Sequence, residues 1–138
     1  VNMVSKSNVT VASGKRKQAI ARAILRPGKG NLKINSTPIS EYQPEMFQLR
    51  MQEPIIIAGD IAQKVDIQVN IKGGGQSGQA EAARLAIARA LVKHSKSEDL
   101  KKAYLDYDRH LVVADVRRNE PHKPNKSSPR AKRQKSYR

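Results

Sequence analysis

The stretch from Val65 to His94 constrains this chain more than any other, because it prescribes a strand, a glycine turn and a helix in unbroken succession. Lys64-Val-Asp-Ile-Gln-Val-Asn-Ile-Lys72 alternates polar and apolar throughout: Val65, Ile67, Val69 and Ile71 face one way, Asp66, Gln68, Asn70 and Lys72 the other. Successive side chains of a strand point to opposite faces of its sheet, so this pattern predicts a half-buried strand. Gly73-Gly-Gly75 frees the backbone for positive φ or for close approach, and Gln76-Ser-Gly-Gln-Ala80 leads into Glu81 to Lys93, rich in good helix formers. Leu85 with Val92, and Ile87 with Leu91, lie on two lines separated by roughly a third of the circumference at ~100° per residue. The helix is therefore expected to contact both the sheet and a second helix. Glycines ahead of a helix N-terminus also offer an anion site.

The flanking segments fill in the rest of the fold. Val9 to Ala12 and Ala19 to Leu25 read as one long bulged strand or two successive ones, with Lys15-Arg16-Lys17 between them placing three cations together on the sheet. Arg26-Pro-Gly-Lys-Gly30 is dense turn chemistry leading to the short alternating run Asn31 to Asn35, which predicts a hairpin between the strands on either side. Residues 45–52 space Met46, Phe47, Leu49 and Met51 for a short helix stopped by Pro54, and Ile55-Ile-Ile-Ala58 reads as a strand buried on both faces, although a run so short is not assigned by period alone. Ser97 followed by Glu98 and Asp99 marks the start of a helix whose buried face would hold Leu100, Ala103, Tyr104 and Tyr107. Leu111 to Val116 suits a last short strand.

The chain has 138 residues, enough for a single domain with a real core. It has no cysteine, which excludes disulfides, thiolate zinc sites and cysteine nucleophiles. No apolar run approaches the ~20 residues that span a bilayer, so a soluble, intracellular protein is expected.

The net charge of +15 is unevenly placed. Residues 1–30 hold seven Lys or Arg and no acid, residues 117–138 hold nine against Glu120, and residues 31–116 hold 11 of each sign. A surface built only for solubility intersperses the signs; segregation at this density is the footprint of a polyanion ligand. From Arg117 onward, Pro121, Pro124 and Pro129 interrupt regular structure and apolar residues all but vanish, which predicts an extended arm that orders on a partner. The organisation expected is an N-terminal extension over residues 1–8, a globular body over 9–116 and a basic tail over 117–138.

Catalytic readings fare poorly. Gly73-Gly-Gly-Gln-Ser-Gly78 lacks the Lys-Ser/Thr pair of a phosphate-binding ATPase loop and has no acid placed to complete a dinucleotide fingerprint. The glycines serve either tight strand-to-helix packing or contact with a phosphate backbone, and the two are compatible. His94, His110 and His122 lack metal-ligand spacing, so no metal or other cofactor is expected. Asp106 and Asp108 flank Tyr107 where a helix gives way to a loop, and capping or an ion pair is the commoner role there than acid–base catalysis. With Tyr137 the single aromatic in either arm, recognition by backbone and shape is favoured over base stacking.

Taken together, Ser13-Gly-Lys-Arg-Lys17 followed by Ala21-Arg-Ala23, Gly28-Lys-Gly-Asn-Leu-Lys-Ile-Asn35, Gly73-Gly-Gly-Gln-Ser-Gly-Gln-Ala80 with Ile87-Ala-Arg-Ala-Leu91, and the closing Lys132-Arg-Gln-Lys-Ser-Tyr-Arg138 resemble the universal ribosomal protein S-nine family of the small subunit, in its archaeal and eukaryotic branch. The similarity runs from about Thr10 to the end. Ser36 and the stretch Asn125-Lys-Ser-Ser128 depart from the family pattern. The resemblance implies an α/β (α+β) fold, a mixed sheet packed by helices like the second domain of ribosomal protein S-five, with a left-handed βαβ crossover. It implies a non-enzymatic protein of the cytoplasmic ribosome, located in the head of the subunit, whose partners are small-subunit rRNA, neighbouring ribosomal proteins and peptidyl-site tRNA, with no membrane and no small-molecule substrate.

On that reading the rRNA-binding residues of the body are Lys15, Arg16, Lys17, Arg22, Arg26, Lys29, Lys72, Gly73, Gly74, Gly75, Gln76, Ser77 and Arg84. Those of the tail are Arg117, Arg118, Lys123, Lys126, Arg130, Lys132 and Arg133. Lys135, Ser136, Tyr137 and Arg138 would reach the anticodon stem of the tRNA. The rival readings are a nucleic-acid-binding protein acting off the ribosome, against which the lack of a helix-turn-helix counts, and an enzyme related to the small-molecule kinases of similar fold, against which the lack of a magnesium-binding carboxylate set counts.

Overall fold

The computed structural model describes residues 8–124, 128–131, 134, 136 and 137. Five strands form one mixed sheet: β1 (Thr10–Arg16), β2 (Ala19–Pro27), β3 (Leu32–Ile34), β4 (Thr37–Pro38) and β5 (Val65–Lys72), in the order β1-β2-β5-β3-β4. The β3–β5 pair is parallel and the other three are antiparallel. Between β3 and β5 the chain crosses over through β4, α1 (Glu45–Ala58) and the short α2 (Asp60–Gln63); after β5 come α3 (Gln76–Ser95) and α4 (Glu98–Tyr107).

The alternation of β5 gives the expected outcome: Val65, Ile67, Val69 and Ile71 are buried and Gln68, Asn70 and Lys72 exposed. Ala19, Ala21, Ala23 and Leu25 of β2 and Leu32 and Ile34 of β3 join that inner face, against which α3 packs. The packing is close because the contacting residues are small. Ala82, Ala83, Ala86 and Ala90 are fully buried, and a Cβ on Gly14 of β1 would lie 2.3 Å from the Ala82 carbonyl oxygen and 2.6 Å from the Ala86 nitrogen. The helix also packs against α1 and α4, as its two apolar lines require. It begins at Gln76 rather than Glu81, with Gly75 as N-cap.

Four local expectations are corrected. The N-terminal hairpin joins β1 to β2 through a turn at Lys17, whose φ is +53°, whereas β2 and β3 do not pair because β5 lies between them. The Asp66 carboxylate accepts the backbone N–H groups of Lys29 at 2.9 Å and Asn31 at 3.0 Å, which holds the Pro27–Gly30 turn over β5. Turn chemistry announces a change of direction but not the next strand's neighbour.

Secondly, α1 runs through Pro54 to Ala58, so Ile55-Ile-Ile-Ala58 is helix and Ile56 is 71% exposed. An interior proline costs roughly 3 kcal/mol in a helix. Here Pro54 is buried, its carbonyl accepts the Tyr104 hydroxyl at 2.7 Å, and Ile55 and Ile57 pack on the core, so tertiary burial outweighs local preference. Burial in turn pushes the Tyr104 hydroxyl pKa well above its ordinary value.

Thirdly, α4 buries Leu100 and Tyr104 but leaves Ala103 and Tyr107 exposed. Its N-cap is as expected, with Ser97 Oγ accepting the Leu100 N–H at 3.3 Å. Fourthly, Arg109–Leu111 is a 3₁₀ turn, and residues 114–123 have no regular structure. The edge strand β1 is instead bridged by side chains from α3. Arg89 donates to the carbonyls of Val112 (3.0 Å) and Ser13 (3.1 Å), and Lys93 donates to that of Val11 at 3.2 Å. Cations on an edge strand discourage pairing with another chain.

Candidate nucleic-acid interface

Two surfaces collect the cations of the body, and they treat charge in opposite ways. The first is a cleft of about 640 Å³ at the end of the sheet where the β1–β2 turn, the first half of α3, α1 and the residues after α4 meet. At its base sits Arg84, 6% exposed, with Nη2 2.7 Å from Glu53 Oε2 and Nη1 3.0 Å from Asp108 Oδ2 and 3.7 Å from Glu81 Oε2. Arg50 pairs with the other oxygen of Glu81. A buried guanidinium flanked by three carboxylates is a device for joining α1, α3 and the end of α4, because one unpaired charge there would be strongly destabilising.

Asp108 also accepts the His110 N–H at 2.9 Å. Burial pushes its pKa up, but that hydrogen bond and Arg84 outweigh the effect and leave it below the ordinary value. Capping and ion pairing thus account for Asp108. Arg16 Nη1 lies 2.7 Å from Asp115 Oδ2, and Arg117 reaches the same carboxylate through Nη2 at 2.9 Å and its backbone N–H at 3.0 Å. The Arg117 side chain and N–H, with Arg16, hold the Asp115 carboxyl far below the usual carboxylate range. Four of the cleft's arginines are therefore engaged by the protein itself.

Beside the cleft, the glycine loop meets the β1–β2 turn. Gly73 and Gly74 have φ of +78° and +67°, and a Cβ on them would come within 2.6 Å of the Gln18 carbonyl oxygen and 2.9 Å of the Ala19 nitrogen respectively. Only glycine permits that conformation and that approach together. The consequence is that Lys15 and Lys17 stand next to the exposed Gly75, Gln76 and Ser77 at the start of α3, whose first turn carries no acid to offset the helix dipole.

The second surface is the face of the sheet turned away from α3. Across it run Lys15, Ile20 and Lys72 in register, then Ser13, Arg22 and Asn70, then Val11, Ile24, Gln68 and Lys33, then Arg26 opposite Asp66. Lys15, Arg22, Arg26, Lys33 and Lys72 are exposed, and none has an ion pair among the described residues. Asp66 is the single acid of this face among the described residues, its pKa lowered by the N–H groups of Asn31 and Lys29.

Residues 14–138 match the family model described as Ribosomal protein S9/S16. The chain belongs to that family. Among curated proteins, the small ribosomal subunit protein uS9 of Methanococcus maripaludis is 47% identical over 127 residues, covering 91% of this chain and 95% of that protein, and its counterpart from Methanococcus vannielii matches to the same extent. Both relatives are archaeal, in keeping with the branch that the closing motif resembles. The fold is likewise the mixed sheet packed by helices that the resemblance implies.

Within this S9/S16 protein the predicted site residues fall into four groups. Lys15, Lys17, Lys72 and Gly73 to Ser77 are brought together at one end of the sheet, with Arg16 beside them but tied to Asp115. Arg22 and Arg26 lie on the open face and Lys29 in the loop beyond it. Arg84 stands apart, enclosed by carboxylates. Arg117, Arg118, Lys123, Arg130, Ser136 and Tyr137 are exposed, whereas Lys126, Lys132, Arg133, Lys135 and Arg138 lie outside the described residues.

Sequence reasoning missed Lys33 and Asp115. Lys33 was available from the Leu32-Lys-Ile34 alternation; Asp115 looked like one more polar residue in an apolar run.

Proposed function

We propose that this protein is a structural component of the small ribosomal subunit on the cytoplasmic ribosome, bound to small-subunit rRNA in the head and in contact with neighbouring ribosomal proteins. The basic tail, residues 117–138, leaves the globular body and extends toward peptidyl-site tRNA, with Lys135, Ser136, Tyr137 and Arg138 at the anticodon stem. The protein performs no chemistry. The reading rests on family membership together with one observation: the whole net charge of +15 resides in residues 1–30 and 117–138, around a neutral middle. On the body, Lys15, Lys17, Lys72 and the Gly73–Ser77 loop are the rRNA contacts, with Arg22, Arg26 and Lys29 along the sheet. Arg84 is assigned to internal ion pairing.

Arginine grips phosphate bidentately, lysine acts as a point charge, and each neutralised phosphate releases counterions. A tail contacting about seven phosphates contributes a log–log salt slope near −5 to −6, at ~0.7–0.9 per phosphate. Removing 117–138 is expected to flatten the salt dependence of rRNA binding by that amount, and crosslinkers placed at Ser136 or Tyr137 are expected to capture tRNA on assembled subunits. An unchanged slope would remove the tail from the interface.

A further inference from the structure

Resting on the reading of the chain as a structural component of the small ribosomal subunit, we propose that the outer face of α1 is the docking site for a second ribosomal protein, which lays an amphipathic, lysine- or arginine-bearing segment along Met46, Leu49 and Ile56. These three side chains are 63%, 54% and 71% exposed. At ~100° per residue they fall within about 80° of one another around the helix, and at 1.5 Å per residue they extend over roughly 15 Å of its length. The opposite side of α1 is committed, because Met51, Pro54 and Ala58 are buried and the helix packs against α3 and α4. Apolar residues scattered singly on a surface need no explanation, whereas three aligned on one stripe mark an interaction surface.

The charge around the stripe is opposite to that of the chain. Residues 37–63, which hold α1 and its flanking turns, carry Glu41, Glu45, Glu53 and Asp60 against Arg50 alone, a net −3 in a chain of +15. Glu53 is turned to Arg84 and Arg50 to Glu81. Glu41 and Glu45 at one end of α1 and Asp60 just past the other are exposed and have no ion pair among the described residues. The dipoles of α1 and α2 account for an acid at Glu45 and at Asp60, but not for the lack of any lysine from the whole stretch.

This chemistry decides the kind of partner. A phosphate backbone would meet three unpaired carboxylates and no available cation, so the face is unsuited to RNA, and an anionic membrane surface is disfavoured on the same ground. Symmetric pairing of two copies would set the same acids opposite one another. Aliphatic anchors flanked by acids suit a protein segment that brings aliphatic side chains to the stripe and cations to Glu41, Glu45 and Asp60. Proteins that fold on rRNA carry cations in excess, as this chain does, and so supply such segments.

The test places a photo-crosslinking residue in the full chain, either at Met46 or at Ile20 on the open face of the sheet, and assembles each protein into small subunits from a Methanococcus species depleted of their own S9/S16 protein. From Met46 the expected crosslink is to a protein other than a second copy, at a peptide with at least two Lys or Arg beside its aliphatic residues. From Ile20 it is to rRNA. Adding Leu49→Ser/Ile56→Ser is expected to lower the Met46 yield about tenfold, the loss that follows from removing two interface anchors. Glu41→Gln/Glu45→Gln/Asp60→Asn should lower it several-fold at about 0.1 M salt and less as salt rises. All five substituted positions are exposed, and an unchanged Ile20 crosslink with equal thermal stability establishes that both variants fold and enter the subunit.

A Met46 crosslink to rRNA, to a second copy or to a peptide without cations overturns the proposal. So does the absence of any crosslink, or a yield that either set of substitutions leaves unchanged. If the chain fails to enter subunits, or Ile20 captures no rRNA, the broader functional reading fails; if Ile20 captures rRNA while Met46 gives one of those contrary results, this inference alone fails.

Discussion

Gly14 is the residue at which the helix–sheet packing is tightest, and nothing in its own segment shows it. It sits between Ser13 and Lys15 in a strand, a position where glycine ordinarily weakens structure. A Cβ there would fall 2.3 Å from a backbone oxygen of α3, so neither partner can yield without moving main chain. Gly14→Ala should destabilise the fold by about 1 to 3 kcal/mol, the usual range for overpacking a core. Gly78 makes the internal comparison. It lies in the first turn of α3, and the atoms nearest an added Cβ are 3.6 Å away, so Gly78→Ala should be neutral or stabilising by up to about 1 kcal/mol. Urea denaturation of the two variants checks both signs, and a Gly14→Ala protein as stable as wild type would mean that β1 and α3 are farther apart than described.

At the scale of elements, the legible parts were those written in a local period. The alternation of 65–72 gave β5 and its buried side, and Ser97 marked the start of α4. Strand order was not legible, because pairing β2 with β5 joins residues far apart in the chain, from Pro27 with Val65 to Ile20 with Lys72, and the Asp66 carboxylate that holds the intervening loop looked like any polar position on a strand. The helix through Pro54 was hidden for a similar reason: what sustains it is Tyr104 on α4 and the core beneath. The candidate site was legible in its cations but not in their engagement, so Arg84 and Lys15 read alike although one is enclosed by carboxylates and the other is exposed.

The segment after α4 is where that distinction is testable. Asp115, its side chain 13% exposed, joins Arg117 to Arg16 of β1 and so ties that segment to the edge of the sheet. Its carboxyl is held below the unfolded value of about 3.9, so the native state binds fewer protons than the unfolded chain. Its contribution to stability is therefore complete above about pH 4 and declines as pH falls toward the native value. Asp66 and Asp108, also lowered, add to the same acid loss. Urea midpoints measured from neutral pH downward should fall below pH 4 in wild type and fall less in Asp115→Asn; parallel curves would show that the carboxylate is not tied as described.

For the whole molecule, charge opposes the free state and favours the bound one. The chain carries +15, and the like charges that folding holds together on β1, β2 and the loop after it destabilise it through self-repulsion, which ions screen over a distance of about 10 Å at 0.1 M salt. Its ion pairs are weakened by the same salt, but exposed pairs such as Arg130 with Glu120 contribute little, and the Arg84 cluster is largely shielded from solvent. Screening of the net charge should therefore dominate. Binding to RNA responds in the opposite sense, because release of counterions is less favourable when the solution already holds them. The free protein should gain a few degrees in Tm as salt rises from low concentration to about 0.3 M, equivalent to roughly 1 kcal/mol, while its affinity for rRNA falls steeply over the same range. Differential scanning fluorimetry and filter binding on one preparation measure both. A Tm that fell with salt would mean that the ion pairs of the body outweigh the repulsion, and that the unpaired cations are too far apart to repel.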